Sequence, residues 1–141
     1  MRKAKAVICI SAVLPLLIGT VLYVLCRPDT IVSGIVRNLT GFGSDMSGNV
    51  KRGLLFDFVR FYLPDILWAY AFPNALMIAC VFDRKCITLC TVIPMAFSVL
   101  TETFQLLGLI SGTGDPADCV LECVAVLAAV FHLKVILKEV D

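Results

Sequence analysis

Apolar residues fall into four long blocks along this chain, separated by one broad polar stretch and two short ones. The first block, 6–26, holds twenty-one residues without a charge and follows Arg2, Lys3 and Lys5. A run of that length matches the roughly 20 residues that an α-helix needs to cross a bilayer. It is too long for the apolar part of a secretory signal. It also ends in Tyr23-Val24-Leu25-Cys26-Arg27, where a signal peptidase would need small residues, so an uncleaved membrane anchor is expected. The second block, 62–82, encloses Pro64, Asp65, Trp68 and Pro73. Pro64 suits a first helical turn, where its missing N–H costs little, whereas Pro73 should kink the helix mid-span. The third block, 86–110, carries Glu102 and Gln105 in its second half, and the fourth, 117–137, opens with Asp118 and Glu122.

The broad polar stretch, 27–61, gathers Gly41, Gly43, Ser44, Asp45, Ser47, Gly48 and Asn49, a cluster of turn-forming residues. Within it, Ile31, Ile35 and Leu39 lie four apart with Val32 and Val36 beside them, a spacing that predicts a short helix over 30–39 lying on the membrane surface. The other two breaks, Asp83-Arg84-Lys85 and the stretch 111–116, read as tight turns.

Composition agrees with this pattern: 60% of the 141 residues are hydrophobic, 16% are charged, and mean hydropathy is +0.95. That balance lies outside the range of soluble globular chains, so the expected fold is all-α: one integral membrane domain, 1–141, of about four transmembrane helices. There is no room for a separate catalytic domain. A net charge of +1 gives no sign of a nucleic-acid partner, none is expected, and the lipid bilayer is left as the first one. Seven of the twelve basic residues, Arg2, Lys3, Lys5, Arg84, Lys85, Lys134 and Lys138, lie on one side if the blocks alternate. The loop 111–116 has none. Basic residues near helix ends stay cytoplasmic, so both termini are expected inside and the loop 27–61 outside.

Alternation has a second consequence that does not depend on which side is which. It brings the start of the second helix, the end of the third and the start of the fourth together, and with them Asp57, Asp65, Glu102, Asp115, Asp118 and Glu122. Glu102, eight residues before the end of its block, should lie about 12 Å deep at 1.5 Å per residue. A carboxylate there requires a proton, a hydrogen-bond partner or a hydrated pocket. Gln105 and Ser98 share its helix face, and Asp118 and Glu122 share a face of the next helix. Asp65, Glu102, Gln105, Asp115, Asp118 and Glu122 are therefore the candidate residues of a polar pocket open to one side. Simpler roles compete for each. Asp65, Asp115 and Asp118 stand where helix caps stand, Glu102 could make a structural bond between helices, Trp68 fits an interfacial belt, and His132 fits a packed histidine. Cys9, Cys80, Cys86, Cys90 and Cys123 lie within the apolar blocks as small hydrophobes, and no pair of cysteines has CxxC spacing. A soft-metal group of Cys119, Glu122 and Cys123 is the weaker alternative. No metal or cofactor is expected, and no phosphate-binding, HExxH or GxSxG motif occurs.

The stretch Glu102-Thr103-Phe104-Gln105, a turn, then Gly112-Thr113-Gly114-Asp115-Pro116-Ala117-Asp118 resembles the signature of the VanZ-like membrane proteins, in which an E-x-x-Q pair ends one helix and an Asp opens the next. Leu63-Pro64-Asp65-Ile66-Leu67-Trp68 is similar to the aspartate-bearing helix start that precedes it, so the resemblance covers about residues 62–130. The chain departs from that pattern in having Gly112 and Thr113 where the family often places an arginine, and Glu122 where it often places an asparagine. The resemblance implies a bacterial cell-envelope protein, some of whose relatives lower susceptibility to the glycopeptide teicoplanin. The expected partners are then an envelope precursor, a glycopeptide or a cation at the outer leaflet. Two other classes remain open: a small membrane enzyme using Glu102 or Glu122 with Asp118 on a lipid-linked substrate, and a proton- or cation-coupled transporter titrating at Glu102.

Overall fold

The computed structural model describes residues 2–26, 38, 53–110 and 114–138; these are helical apart from short turns, with no strand among them. Helix α1 spans Arg2–Cys26, α2 Leu54–Phe61, α3 Leu63–Ala79, α4 Ile87–Leu106 and α5 Pro116–Lys138, with a short 3-10 turn at Arg84–Cys86 leading into α4. The all-helical expectation holds. Three stretches, α1, Arg84–Leu106 and α5, are long and apolar enough to cross a membrane. The expected count of about four is not confirmed, since α3, the remaining long helix, has only 17 residues. The surface helix expected over 30–39 lies outside the described residues, apart from Asn38, which is helical.

Helix ends account for most differences from the sequence reading. The third block was expected to stay helical to residue 110, yet α4 stops at Leu106. Gly108 takes φ +68°, its N–H donates to the Gln105 carbonyl at 3.0 Å, and the Leu109 N–H donates to the Phe104 carbonyl at 2.9 Å. This is the two-bond stop that a left-handed residue after a helix provides, and glycine adopts it without strain. The second block is trimmed in the same way. Val81 donates to Ile78 O and Phe82 to Met77 O, both at 2.9 Å, so α3 ends at Ala79 rather than continuing to 82. At its other end, 54–61 was read as loop and is instead α2, whose Asp57 and Arg60 sit at the helix ends that favour their charges. Helix α3 runs through Pro73 as one element, and Pro73 is fully buried.

Helix α3 is the hub. Helices α1, α4 and α5 all pack on it, while α1 and α4 scarcely touch each other. Near the end where α3 finishes, Ile8, Met77, Cys90 and Leu133 form one fully buried cluster. Closer to the start of α3, Ala69, Ala125, Val126 and Val130 form a second. Between α3 and α5 the Tyr70 hydroxyl meets His132 Nδ1 at 2.7 Å, which makes His132 a packed, hydrogen-bonded residue. The outer faces remain apolar: Val120, Val124, Leu127 and Phe131 form an exposed stripe on α5, opposite its buried one. In water such a surface would be costly; in hydrocarbon it is not.

Candidate functional site

Three chain segments that are distant in sequence meet where α3 starts, α4 ends and α5 starts. Asp115 stands just before α5, whose first residue is Pro116, and its Oδ1 accepts the Ala117 N–H at 2.9 Å. That is an N-cap, with proline placed where a missing N–H does no harm. The other oxygen, Oδ2, accepts the Tyr62 hydroxyl from the α2–α3 junction at 3.0 Å. Asp115's own N–H donates to Glu102 Oε2 at 2.9 Å, so the carboxylate of α4 satisfies backbone at the entrance of α5. Hydrogen bonding to Asp115, and then its negative charge, raise the Tyr62 phenol above its ordinary pKa of 10.0.

Glu102 is 7% exposed. With α4 ending at Leu106 it lies four residues from the helix terminus, about 6 Å deep rather than 12. The sequence-derived depth was too great because it carried the helix through Gly108. The burial is real nonetheless, and the backbone N–H of Asp115 supplies the partner that burial demands.

Beside this network runs a cleft of about 670 Å³, floored by α3 and walled by α1 and α4. Ligand sites commonly have volumes of roughly 300–1,000 Å³. At one end the lining includes Asp65, Trp68, Thr101 and Glu122, with Ser98 within hydrogen-bonding reach of the Glu122 side chain. Farther along, it becomes apolar, with Phe72, Ala75, Ile78, Pro94 and Phe97. The Phe72 and Phe97 rings meet edge-on, with centroids 5.7 Å apart and planes at 85°.

Of the six candidates, Asp65 and Glu122 line the cleft, and Glu102 and Asp115 are joined in the network next to it. Asp118 is half-buried at the start of α5, close enough for its charge to act on both Glu122 and Tyr62. Gln105, one turn beyond Glu102, is half-buried and outside the cleft lining. The pocket expected to be polar is thus polar only at one end. Sequence reasoning missed Tyr62, Thr101 and the wall from α1, including Ala12, Val13 and Leu16. The spacing Pro94, Phe97, Ser98, Thr101 marks one helix face grading from apolar to polar, and was a usable signal for the α4 wall. Trp68, for which a belt position is expected, packs half-buried against Tyr23 of α1, ring centroids 5.2 Å apart. Among the described residues, no group of three or more His, Cys, Asp or Glu is placed to hold a metal ion. Comparisons with models of known protein families, with curated proteins and with solved structures find no match to this chain.

Proposed function

We propose that this chain is a four-helix integral protein of a bacterial cell membrane, both termini cytoplasmic, that binds a polar or cationic envelope component at its outward-facing carboxylate end. Helix α3 is the fourth crossing in this reading: 17 residues rise about 25 Å, the short end of what a bilayer requires, and α2 continues it at the interface. The observation that carries the reading is the Tyr62–Asp115–Glu102 network beside the cleft, because it joins two carboxylates and a phenol from three segments at one end of the bundle. The resemblance to VanZ-like proteins connects that end with teicoplanin susceptibility. Binding is favoured over catalysis because the carboxylates with visible partners spend those bonds on backbone and phenol.

Single cysteines at positions 65, 102, 118 and 122, on a cysteine-less background, test the geometry in intact cells with a membrane-impermeant thiol reagent. Labelling of 65, 118 and 122 supports an outward-facing site. Absence of labelling at all of these positions removes it. A Glu102→Gln variant, which keeps an acceptor for the Asp115 N–H but loses the charge, should insert normally and change teicoplanin susceptibility if the end modulates the envelope.

A further inference from the structure

The end of the bundle opposite the carboxylates holds a group of side chains that the proposed function does not use. Cys80 stands at the C-cap of α3, Cys86 at the N-cap of α4, and Cys90 lies one turn into α4. The Cys80 thiol is within hydrogen-bonding reach of both other thiols. From sequence alone all three read as small hydrophobes. That description suits Cys90, which is fully buried against Ile8, Met77 and Leu133. It does not suit Cys80 and Cys86, which are half-buried helix caps on either side of a polar turn.

Backbone bonds bring these side chains together. Cys80 O accepts the Asp83 N–H and Asp83 O accepts the Cys86 N–H, both at 3.0 Å, so two consecutive turns fold residues 80–86 back on themselves. Asp83 Oδ1 accepts the Lys85 N–H at 3.0 Å, and Lys5 Nζ of α1 lies over the Phe82 ring, 4.9 Å from its centroid. Phe82, Cys86 and Ile87 also pack on the buried cluster that includes Cys90. One thiol is thus held facing two others by bonds that none of the three makes. Thiols so placed support disulfide exchange, in which one thiolate attacks a disulfide sulfur, a second resolves the mixed disulfide, and access decides where the attack begins. Access here is from the turn, where residues 83–85 are exposed, and not at Cys90.

We propose that Cys80 and Cys86 are a reversible dithiol–disulfide pair, oxidised across the α3–α4 turn by a small-molecule disulfide, with Cys90 as an internal exchange partner. Cys86 gives up its proton and attacks one sulfur of the oxidant. A mixed disulfide forms on Cys86, and the first half of the oxidant leaves as a thiol carrying that proton. Cys80 then gives up its proton and attacks the Cys86 sulfur, which forms the Cys80–Cys86 bond and releases the second half as a thiol. Two protein thiols are oxidised and one disulfide is reduced to two thiols. Attack of Cys90 on the Cys80 sulfur moves the bond to Cys80–Cys90 and returns the Cys86 thiol, with no net oxidation. The site goes beyond the carboxylate end and does not depend on it. With both termini cytoplasmic the turn faces a reducing compartment, which keeps the pair as thiols until an oxidant arrives.

Arg84 and Lys85 stand between Cys80 and Cys86, so trypsin separates the two cysteines unless a disulfide joins their peptides. The reduced full-length protein in detergent micelles is equilibrated with mixtures of reduced and oxidised glutathione, quenched, alkylated, digested and read by mass spectrometry. Fragmentation shows which of Cys86 and Cys90 escaped alkylation. The expected result is two peptides joined through Cys80, mainly to Cys86, with no glutathione retained. Joining should be half complete at a ratio of oxidised glutathione to the square of the reduced form roughly tenfold below that which protects Cys9, Cys26, Cys119 or Cys123, a difference of about 30 mV. Dithiothreitol should restore all the thiols. Cys80→Ser should abolish the joining and leave glutathione on Cys86, whereas Cys86→Ser should transfer the link to Cys90. Glutathione retained on Cys86 of the parent, or protection spread evenly over the seven cysteines, overturns the proposal. A Cys86→Ser protein that forms no link removes Cys90 from it. The measurement needs no cells or antibiotic, so its failure leaves the envelope reading standing, and a failed susceptibility assay leaves the dithiol standing.

Discussion

Asp115 concentrates three interactions on one carboxylate and one N–H, and this makes its neighbours separable by substitution. Glu102→Leu leaves the Asp115 N–H without its acceptor in a buried place, at a cost of about 1–3 kcal/mol, whereas Glu102→Gln keeps an oxygen in position and should fold nearly as the parent. Thermal unfolding in detergent micelles distinguishes them; equal melting temperatures would show that the Glu102–Asp115 bond is not structural. Tyr62 supplies a pH signature. Its phenol has a raised pKa in the folded chain, so the bond to Asp115 contributes fully below pH 10.0 and is lost as pH rises through the folded value. Tyr62→Phe should therefore show a shallower loss of stability above pH 10 than the parent, read from melting temperatures across that range. At this scale the sequence was informative about acids and less so about their partners. Glu102, Asp115 and Glu122 could be picked because a charge within or beside an apolar block demands an explanation. Tyr62 could not, since an aromatic residue at such a boundary already has one.

Helices were legible at their centres and poorly legible at their ends. The apolar blocks gave α1 and α5 to within a few residues, because a long uncharged run has only one way to satisfy its backbone in lipid. What stops a helix is a single residue's φ, and Gly108 lies inside an apolar run where hydropathy gives no sign of a break. Helix α2 was hidden for the opposite reason: Asp57 and Arg60 made its stretch look like loop, although they sit at the termini that suit them. The α3–α4 turn shows a less comfortable version of the Gly108 solution. Val81 and Phe82 take φ +55° and +62°, a region costly to side chains that crowd the backbone, and Val81 is 77% exposed, with little packing in return. Relieving the strain at position 81 is worth roughly 1–2 kcal/mol, less the ~0.5–1 kcal/mol that glycine's extra freedom takes back. Val81→Gly should thus raise the melting temperature modestly, and an unchanged or lower value would mean that the turn relaxes to negative φ in the bilayer.

Over the whole molecule, the sequence foretold which segments would lie side by side, by alternation alone, but not which helix would be the hub. Helix α3, the shortest of the long helices, with Pro64 in its first turn and Pro73 within it, occupies the centre because its small residues and fully buried Asn74 accept neighbours on several faces. The cleft follows from that arrangement, since two walls resting on one floor need not meet. How α1 is held on α3 is then decisive, and Gly19 marks the closest approach. A Cβ at Gly19 would lie 2.8 Å from Trp68 Nε1, 2.9 Å from Trp68 Cδ1 and 3.1 Å from the Pro64 carbonyl oxygen. Gly19→Ala must push the indole toward the cleft or lift α1 away, with an overpacking cost of about 1–3 kcal/mol. Because two of the three close atoms belong to Trp68, replacing it with the smaller phenylalanine should remove most of the clash. A double-mutant cycle measures this: Gly19→Ala and Trp68→Phe together should destabilise less than the sum of the two alone, by more than the ~0.5 kcal/mol expected of independent sites. Additive losses would mean that Pro64 O sets the approach, and that α1 and α3 meet backbone to backbone with Trp68 free to serve the cleft.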